Sequence, residues 1–384
     1  MAGVRSSDIE EAVLHRYAEA ARAREGALCC PVDYEARYLE VIPPEVVARD
    51  YGCGDPSRHV RPGDVVLDLG SGGGKICFIA AQLAGKEGRV IGVDMNDEML
   101  ALAQSAAPVV AERLGYANVE FRKGRIQDLG LDVARLDAWL ARHPVTSVAA
   151  LSALEAEQTR LREQEPLIAS ESVDLVVSNC VLNLVREQDK QALIGEIFRV
   201  LRLGGRIALS DIVSDESVPQ HLRDDPQLWS GCVSGAFQEL ELLRELERAG
   251  FHAIALDQWS EEPFAVVEGI EFRSVTVTAR KGKQGPCYEG NQAVIYRGPW
   301  RRVEDDDGHV LERGVRTAVC EKTFRILTGE PYAAQTIAVE PRTAVAAEER
   351  RGFDCTRTEP RSPRETKGSE YRETREGCGE GKCC

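Results

Sequence analysis

The sequence predicts an α/β fold: a Rossmann-like, doubly wound, mostly parallel sheet, with an N-terminal helical lid and a small C-terminal β-rich domain. Three observations predict it. From Asp64 onward, apolar runs of four to six residues alternate with helical stretches, the pattern of strands buried on both faces. A glycine-rich turn, VLDLGSGGGK (66–75), stands between the first such run and its helix. After Lys281 the rhythm breaks into short alternating pieces.

Residues 1–60 make the lid. Ser7 and Glu10 stand at capping-box spacing, and Ile9, Val13 and Tyr17 recur every fourth position, which predicts an amphipathic helix over 7–24. The next stretch, LCCPVDYEARYLEVIPPEVVARDYGCGDP, is too apolar for a disordered linker. Residues 61–280 form the main domain. Its strands are DVVLDL, RVIGVDM, NVEFRKG, VDLVVSNC and RIALSDIV, with helices from Lys75 and over 97–114, 189–202 and 238–249. Two more apolar strands follow at 252–259 and 270–279, and Gly204-Gly205 reads as a helix stop before RIALSDIV. Residues 129–170 exceed what a crossover needs. Their helical composition predicts an inserted surface hairpin without a catalytic role. Residues 281–345 read as the accessory domain, with NQAVIYRG, WRRV and HVLERG as strands. Residues 346–384 are charged and nearly devoid of aliphatics, so a disordered tail is expected, with Cys378, Cys383 and Cys384 near its end.

Charge and hydropathy narrow the function. A net charge of -15 excludes nucleic acid, because neutralising phosphates needs a basic face. No apolar run approaches the ~20 residues of a membrane span. MAGVRSSDIEEAV lacks the apolar stretch of a secretory signal, which predicts a cytoplasmic protein. In that reducing compartment twelve cysteines are expected as packing residues, ligands or redox centres rather than disulfides. Cys77, between Ile76 and Phe78 on the helix after the glycine turn, reads as packing.

The glycine turn indicates the cofactor. Glycines between strand and helix let the backbone approach a ligand and aim helix N–H groups at it. Here Asp68 precedes Gly70, Gly72 and Gly74, where a dinucleotide fingerprint has no acid. A pyrophosphate beside Asp68 would be repelled, whereas the amino group of S-adenosylmethionine would be attracted. Asp94 closes the second strand, followed by Met95, where a carboxylate can accept both hydroxyls of an unphosphorylated ribose. Ile126, after the third strand, is expected to flank the adenine. Asn179, closing the fourth, should face the same crevice. The competing reading is that both acids merely cap turns.

Three cysteines converge on that crevice. Cys180 closes the fourth strand at the carboxyl edge, Cys232 (WSGCVSGAF) lies in a loop opening on the same edge, and Cys53 (YGCGDP) can fold over it. Singly, each is as well explained as a small core residue. Together they would hold a soft, three-coordinate ion bearing a lone pair, whereas zinc favours four ligands with close CxxC spacing, which is lacking.

In order, over about residues 51–280, YGCG, DLGSGGGK, GVDM, VVSNCVLNLV, LSDI and WSGCVSGAF resemble the motif series of arsenite S-adenosylmethionine methyltransferases, bacterial members in particular. The resemblance implies a class I methyltransferase fold and trivalent arsenic, as arsenite or methylarsenite, as substrate. It implies that Cys53, Cys180 and Cys232 bind arsenic. The family's fourth cysteine lies upstream of YGCG, where Cys29 and Cys30 stand; Cys30, or Cys29, would relay a disulfide as arsenic is oxidised, with a small thiol or thioredoxin-type reductant as partner. Two alternatives stay open: a C- or O-methyltransferase using Asp211 or His221 as base, and a non-catalytic metalloid-binding protein.

Overall fold

The computed structural model describes residues 6–26, 32–355, 358–368 and 370–371. It divides into two compact units, Met1–Gly282 and Lys283–Cys384. In chain order the first unit comprises α1 (Ser6–Arg22), α2 (Ala36–Leu39), α3 (Pro44–Ala48), β1 (Val65–Leu69), α4 (Lys75–Ala84), β2 (Arg89–Asp94), α5 (Asp97–Leu114) and β3 (Val119–Lys123). It continues with α6 (Val133–Leu140), α7 (Val148–Gln164), β4 (Val173–Asn179), α8 (Lys190–Val200), β5 (Leu201–Ser214), α9 (Gln220–Arg223) and α10 (Pro226–Ser230). It ends with β6 (Phe237–Gln238), α11 (Glu239–Arg248), β7 (Phe251–Trp259), β8 (Ala265–Val267) and β9 (Ile270–Lys281).

The main path of the sheet runs β3-β2-β1-β4-β5-β9-β7. β1 to β5 pair in parallel, whereas β9 runs antiparallel to both β5 and β7. No helix separates β7 from β9, so the last strand returns as a hairpin and inserts beside β5. The central strands are buried along their length, as their unbroken Val, Leu and Ile runs require. Leu67, Leu69, Val93, Val176, Leu209 and Val277 anchor the core. Helix ends follow local chemistry. The Asn96 side chain accepts the Met99 N–H (3.1 Å) to open α5, and Gly115 closes it at φ 79°.

Two local expectations, on the start of α1 and the end of α8, are corrected, and the helical insert is found as expected. α1 begins at Ser6, so Ser7 lies in its first turn rather than capping it. α8 ends at Val200, and Gly204-Gly205 lies within β5 instead of stopping a helix, because β-pairing with Val173 begins at Leu201. The insert at 129–170 contains α6 and α7, capped by Asp132 and Ser147.

The second unit contains β10 (Ala293–Tyr296), β11 (Arg302–Glu304), β12 (Val310–Glu312), β13 (Arg316–Ala318), α12 (Glu321–Thr328), β14 (Thr336–Val339) and α13 (Pro363–Lys367). β13-β10-β14 form an antiparallel sheet and β11-β12 a hairpin. The expectation of disorder from residue 346 is corrected as far as Tyr371. Phe353 is buried, Gly352 bridges to Tyr288, and Arg361, 3% exposed, pairs with Glu289 (2.8 and 3.0 Å). One aromatic ring and one buried ion pair supply the anchorage that the scarcity of aliphatics seemed to deny. Cys378, Cys383 and Cys384 lie outside the described residues. Among the described residues no helix is long and apolar enough to cross a membrane.

Candidate active site

Strand order reverses between β1 and β4, and the crevice outside the carboxyl ends at such a point is where open α/β sheets bind ligands. Here it is a cleft of about 1080 Å³ including its open mouth. Asp68, Gly70, Gly72, Asp94, Met95, Ile126, Asn179 and Cys180 all line it.

Gly70 and Gly72 hold φ of 68° and 49°, and a Cβ on Gly70 would overlap Val181. The Asp94 carboxylate accepts N–H from Gly72 and Asn96, both at 2.8 Å, so it fixes the glycine turn as well as facing the cleft. Burial raises its pKa, against the opposing effect of the backbone N–H groups of Asn96, Gly72 and Met95. Asp68, 2% exposed, is pushed up to about 7 by burial. Its hydrogen bond from the Cys77 thiol (3.2 Å) opposes this rise, and the nearby Asp50 and Asp94 add to it. Cys77 is thus more than packing. Gly74 does not line the cleft: it caps α4 at φ 89°, and a Cβ there would strike Phe121 at 2.7 Å. Its conformation serves close helix–strand packing at the head of α4.

Cys53, Cys180 and Cys232 meet in one buried cluster, although they come from a loop, a strand end and the turn after α10. Cys53 and Cys180 are joined as a disulfide, with Cα atoms 5.9 Å apart. This corrects the expectation that the cysteines avoid disulfides: the fold itself presses these two thiols together. The Cys232 thiol donates to the Cys180 carbonyl (3.1 Å). Both Cys180 and Cys232 occupy left-handed backbone, φ 58° and 62°, a conformation costly without glycine and concentrated at functional sites. The surroundings hold them there. Asp211 accepts the N–H groups of Val181 (3.1 Å) and Leu182 (2.8 Å), fixing the turn after Cys180. Asn183 donates to the carbonyls of Ile212 (2.6 Å) and Cys232 (3.2 Å).

Asn179 lines the cleft as expected, and its polar atoms also engage a second element. Its side-chain oxygen accepts the N–H groups of Cys53 (2.8 Å) and Gly54 (3.1 Å). Its amide donates to the Gly54 carbonyl (2.8 Å) and the Tyr34 hydroxyl (3.3 Å). It borders the cleft, but its polar atoms hold the YGCG loop. The flanking glycines permit this approach, since a Cβ at Gly52 would overlap the Asn179 amide. Ser274 of β9 completes the clasp, donating to the Cys53 carbonyl (2.7 Å).

Sequence reasoning missed the contribution of α1. Val13, Leu14 and Tyr17 line the cleft, and the Tyr17 hydroxyl lies 3.7 Å from the Cys232 sulfur. Burial, then Cys232, push the Tyr17 phenol well up. Arg16 anchors the helix to Ser230 (3.0 Å). The amphipathic period was visible; what its apolar face would cover was not. Lys75 was also missed: it pairs with Asp50 and lies 3.8 Å over the Tyr34 ring, tying the front segment to α4. Cys29 and Cys30 lie outside the described residues. Neither base of the alternative reading is poised for catalysis. The Asp211 carboxylate, lifted to about 6 by burial, is engaged by backbone N–H groups, and His221 is exposed and paired with Glu268 (2.9 Å).

The description "Methyltransferase domain" matches residues 61–164 and 149–250, and "Domain of unknown function (DUF8838)" matches 283–371. The arsenite methyltransferase of Aquipseudomonas alcaligenes is 34% identical over 309 residues, 77% of this chain and 78% of that protein. The human arsenite methyltransferase is 30% identical over 316 residues, 79% of this chain and 74% of that protein. Among solved structures, the arsenic(III) S-adenosylmethionine methyltransferase of Chlamydomonas reinhardtii superposes with a TM-score of 0.55 at 26% identity, covering 85% of this chain and 100% of that one. With its cleft at the switch point, its three converging cysteines and these relatives, the chain belongs to the arsenite methyltransferase family.

Proposed function

We propose that this chain transfers methyl groups from S-adenosylmethionine to trivalent arsenic, as arsenite or methylarsenite, held by cysteine thiolates. The observation that carries the reading is the convergence of Cys53, Cys180 and Cys232 in one cluster, with Cys180 lining the same cleft as two strand-end carboxylates.

The cleft fits the cofactor. Gly70 and Gly72 leave the backbone bare, Asp68 offers a carboxylate to an ammonium, Asp94 faces the ribose position, and Met95 and Ile126 supply apolar walls for an adenine. When bound, S-adenosylmethionine supplies an electrophilic methyl on a positively charged sulfur. The protein's part is positioning, which can contribute about 7–11 kcal/mol relative to the bimolecular reaction. Cys180 and Cys232 hold the arsenic by two bonds, and Cys53 supplies the third for arsenite, replacing its hydroxyls and leaving the lone pair exposed. With S-adenosylmethionine bound, that lone pair would be the nucleophile for its methyl and S-adenosylhomocysteine the leaving product, so no side chain need remove a proton. Arsenic is thereby oxidised by two electrons. In the arsenite cycle Cys53 and Cys180 can return both by closing their disulfide, the pairing already present here, and with methylarsenite two equivalents of excess thiol can return them by forming their own disulfide. Cys30 or Cys29 would relay the Cys53–Cys180 disulfide to a small thiol or thioredoxin-type reductant, a role suited to the reducing cytoplasm.

Neither Asp211 nor His221 supports the organic-substrate alternative, and a cleft lined by both Asp68 and Asp94 argues against a sequestering protein. The test is incubation with arsenite, excess thiol and S-adenosylmethionine, with methylated arsenic read by mass spectrometry. Wild type should accumulate it, whereas Cys180→Ser and Cys232→Ser should not, because a hydroxyl is a poor ligand for a soft metalloid. Near-normal turnover of methylarsenite by either variant refutes the two-thiolate scheme.

A further inference from the structure

A second thiol cluster lies in the second unit. Cys287 precedes β10, Cys320 heads α12, and Cys355 lies in the segment assigned from sequence to a disordered tail. Their sulfurs all lie within 4.8 Å of one another, and all three are free thiols. The backbone builds this meeting. Phe353 N–H donates to the Cys287 carbonyl (2.9 Å), Glu289 N–H to the Arg351 carbonyl (2.8 Å), and Glu321 N–H to the Tyr288 carbonyl (2.9 Å). Cys320 is fully buried among Ala318 and Phe353, with Cys287 and Cys355 packed against them. Its sulfur accepts the Thr323 N–H (3.3 Å) at the head of an eight-residue helix, a setting that favours thiolate.

We propose that Cys287, Cys320 and Cys355 form a second binding site for trivalent arsenic, sharing no residue with the methyl-transfer cleft. Structural zinc takes four ligands, and among the described residues no fourth His, Cys, Asp or Glu joins this group. Three sulfurs without a fourth partner suit a soft ion that completes its shell with a lone pair. Binding is a condensation: three S–H protons leave with the three hydroxyls of arsenite as water, and neither oxidant nor reductant is needed. The choice of ion rests on the arsenic reading above; the site itself does not.

The test uses the full chain carrying Cys29→Ser, Cys30→Ser, Cys53→Ser, Cys180→Ser, Cys232→Ser, Cys378→Ser, Cys383→Ser and Cys384→Ser, reduced by a phosphine and titrated with arsenite. Because the cleft cysteines are gone, the result is independent of whether the cleft methylates arsenic. Native mass spectrometry should find one arsenic per chain, and X-ray absorption should find three sulfur neighbours. Adding Cys355→Ser should weaken binding ~100-fold or more, the upper end of what losing even a ligand's supporting partner costs a bound metal. No retained arsenic, binding indifferent to Cys355→Ser, or zinc retained in preference to arsenite overturns the proposal. Should the multiple variant fail to fold, the same titration compares wild type with Cys287→Ser/Cys355→Ser. Loss of one arsenic equivalent supports the site, and an unchanged count overturns it.

Discussion

Replacing Asn179 by alanine should separate the two arsenic substrates. Its side chain makes four hydrogen bonds, three to the backbone of Cys53 and Gly54 and one to Tyr34. At about 0.5–1.5 kcal/mol net per bond, with the two at 2.8 Å counting most, the clasp is worth ~3 kcal/mol. Released N–H groups at the cleft mouth can turn to water, which keeps the figure near that value rather than the higher cost of buried orphans. At 1.4 kcal/mol per tenfold, the docked-to-undocked ratio of the YGCG loop falls ~100-fold. Arsenite, which draws its third thiolate from Cys53, should lose kcat/KM by about that factor. Methylarsenite, held by Cys180 and Cys232 alone, should lose no more than about threefold. Asn179→Asp keeps the acceptor oxygen and should recover part of the arsenite rate. The assay is initial-rate methylation of each substrate under excess thiol, with S-adenosylmethionine affinity measured by calorimetry. Equal losses on both substrates, or a deficit explained by weaker cofactor binding, would refute the argument that Asn179 acts through Cys53.

Other outcomes follow from the same geometry. Asp94→Ala should weaken S-adenosylmethionine by about 1.5–3 kcal/mol, the scale of a charged hydrogen bond lost, and calorimetry showing wild-type affinity would remove Asp94 from the site. Asp68, with its pKa pushed up to about 7, gives two pH signatures. Between about pH 4 and 7 the unfolded chain has lost this proton while the folded chain keeps it, so this group's contribution to stability falls as pH rises through that window and is level above it. Affinity for a cationic amino group runs the other way, rising up to tenfold per pH unit below 7; a flat profile in wild type, or one equally steep in Asp68→Asn, would refute the pairing. Truncation after residue 350 removes buried Phe353 and the Arg361–Glu289 pair and should destabilise the second unit by about 3 kcal/mol or more, measurable by denaturant titration.

Much of the first unit was legible because its strands are buried on both faces, so VVLDL and VDLVVSN announce themselves without neighbours. The strand-end acids were legible for a chemical reason: a carboxylate before the glycine turn has no place beside a pyrophosphate. What escaped depends on tertiary pairing. Asn179 sits beside Cys180 and looks into the crevice like a cofactor ligand; only the YGCG loop, more than a hundred residues upstream, shows where its amide is engaged. Gly74 carries the same letter as Gly70 and Gly72, yet only the fold shows how tightly the ring of Phe121 packs on it. Cys287, Cys320 and Cys355 have no short-range spacing to betray them, and Cys355 lies in a composition that reads as disorder. The Cys53–Cys180 disulfide joins residues separated by 127 positions, and composition alone does not show which two of twelve thiols the fold presses together.

The insertion of β9 between β5 and β7 sets the order in which the arsenic site can come into being. The YGCG loop leans on β9: Ser274 holds the Cys53 carbonyl, and Gly54 rests against Ser210 and Thr276. Cys53 and Cys180 therefore leave the ribosome well before the strand that clasps them. At about 5–20 residues per second, the stretch from Cys180 to Lys281 takes roughly 5–20 s to synthesise. For that interval the nascent chain carries its thiols without the geometry that selects among them. On the proposed reading, arsenite is a ligand of the finished fold and a cross-linker of the unfinished one. It should then stabilise mature protein by mass action and lower the yield of chains that refold in its presence, measurable as a raised melting temperature and a reduced refolded fraction.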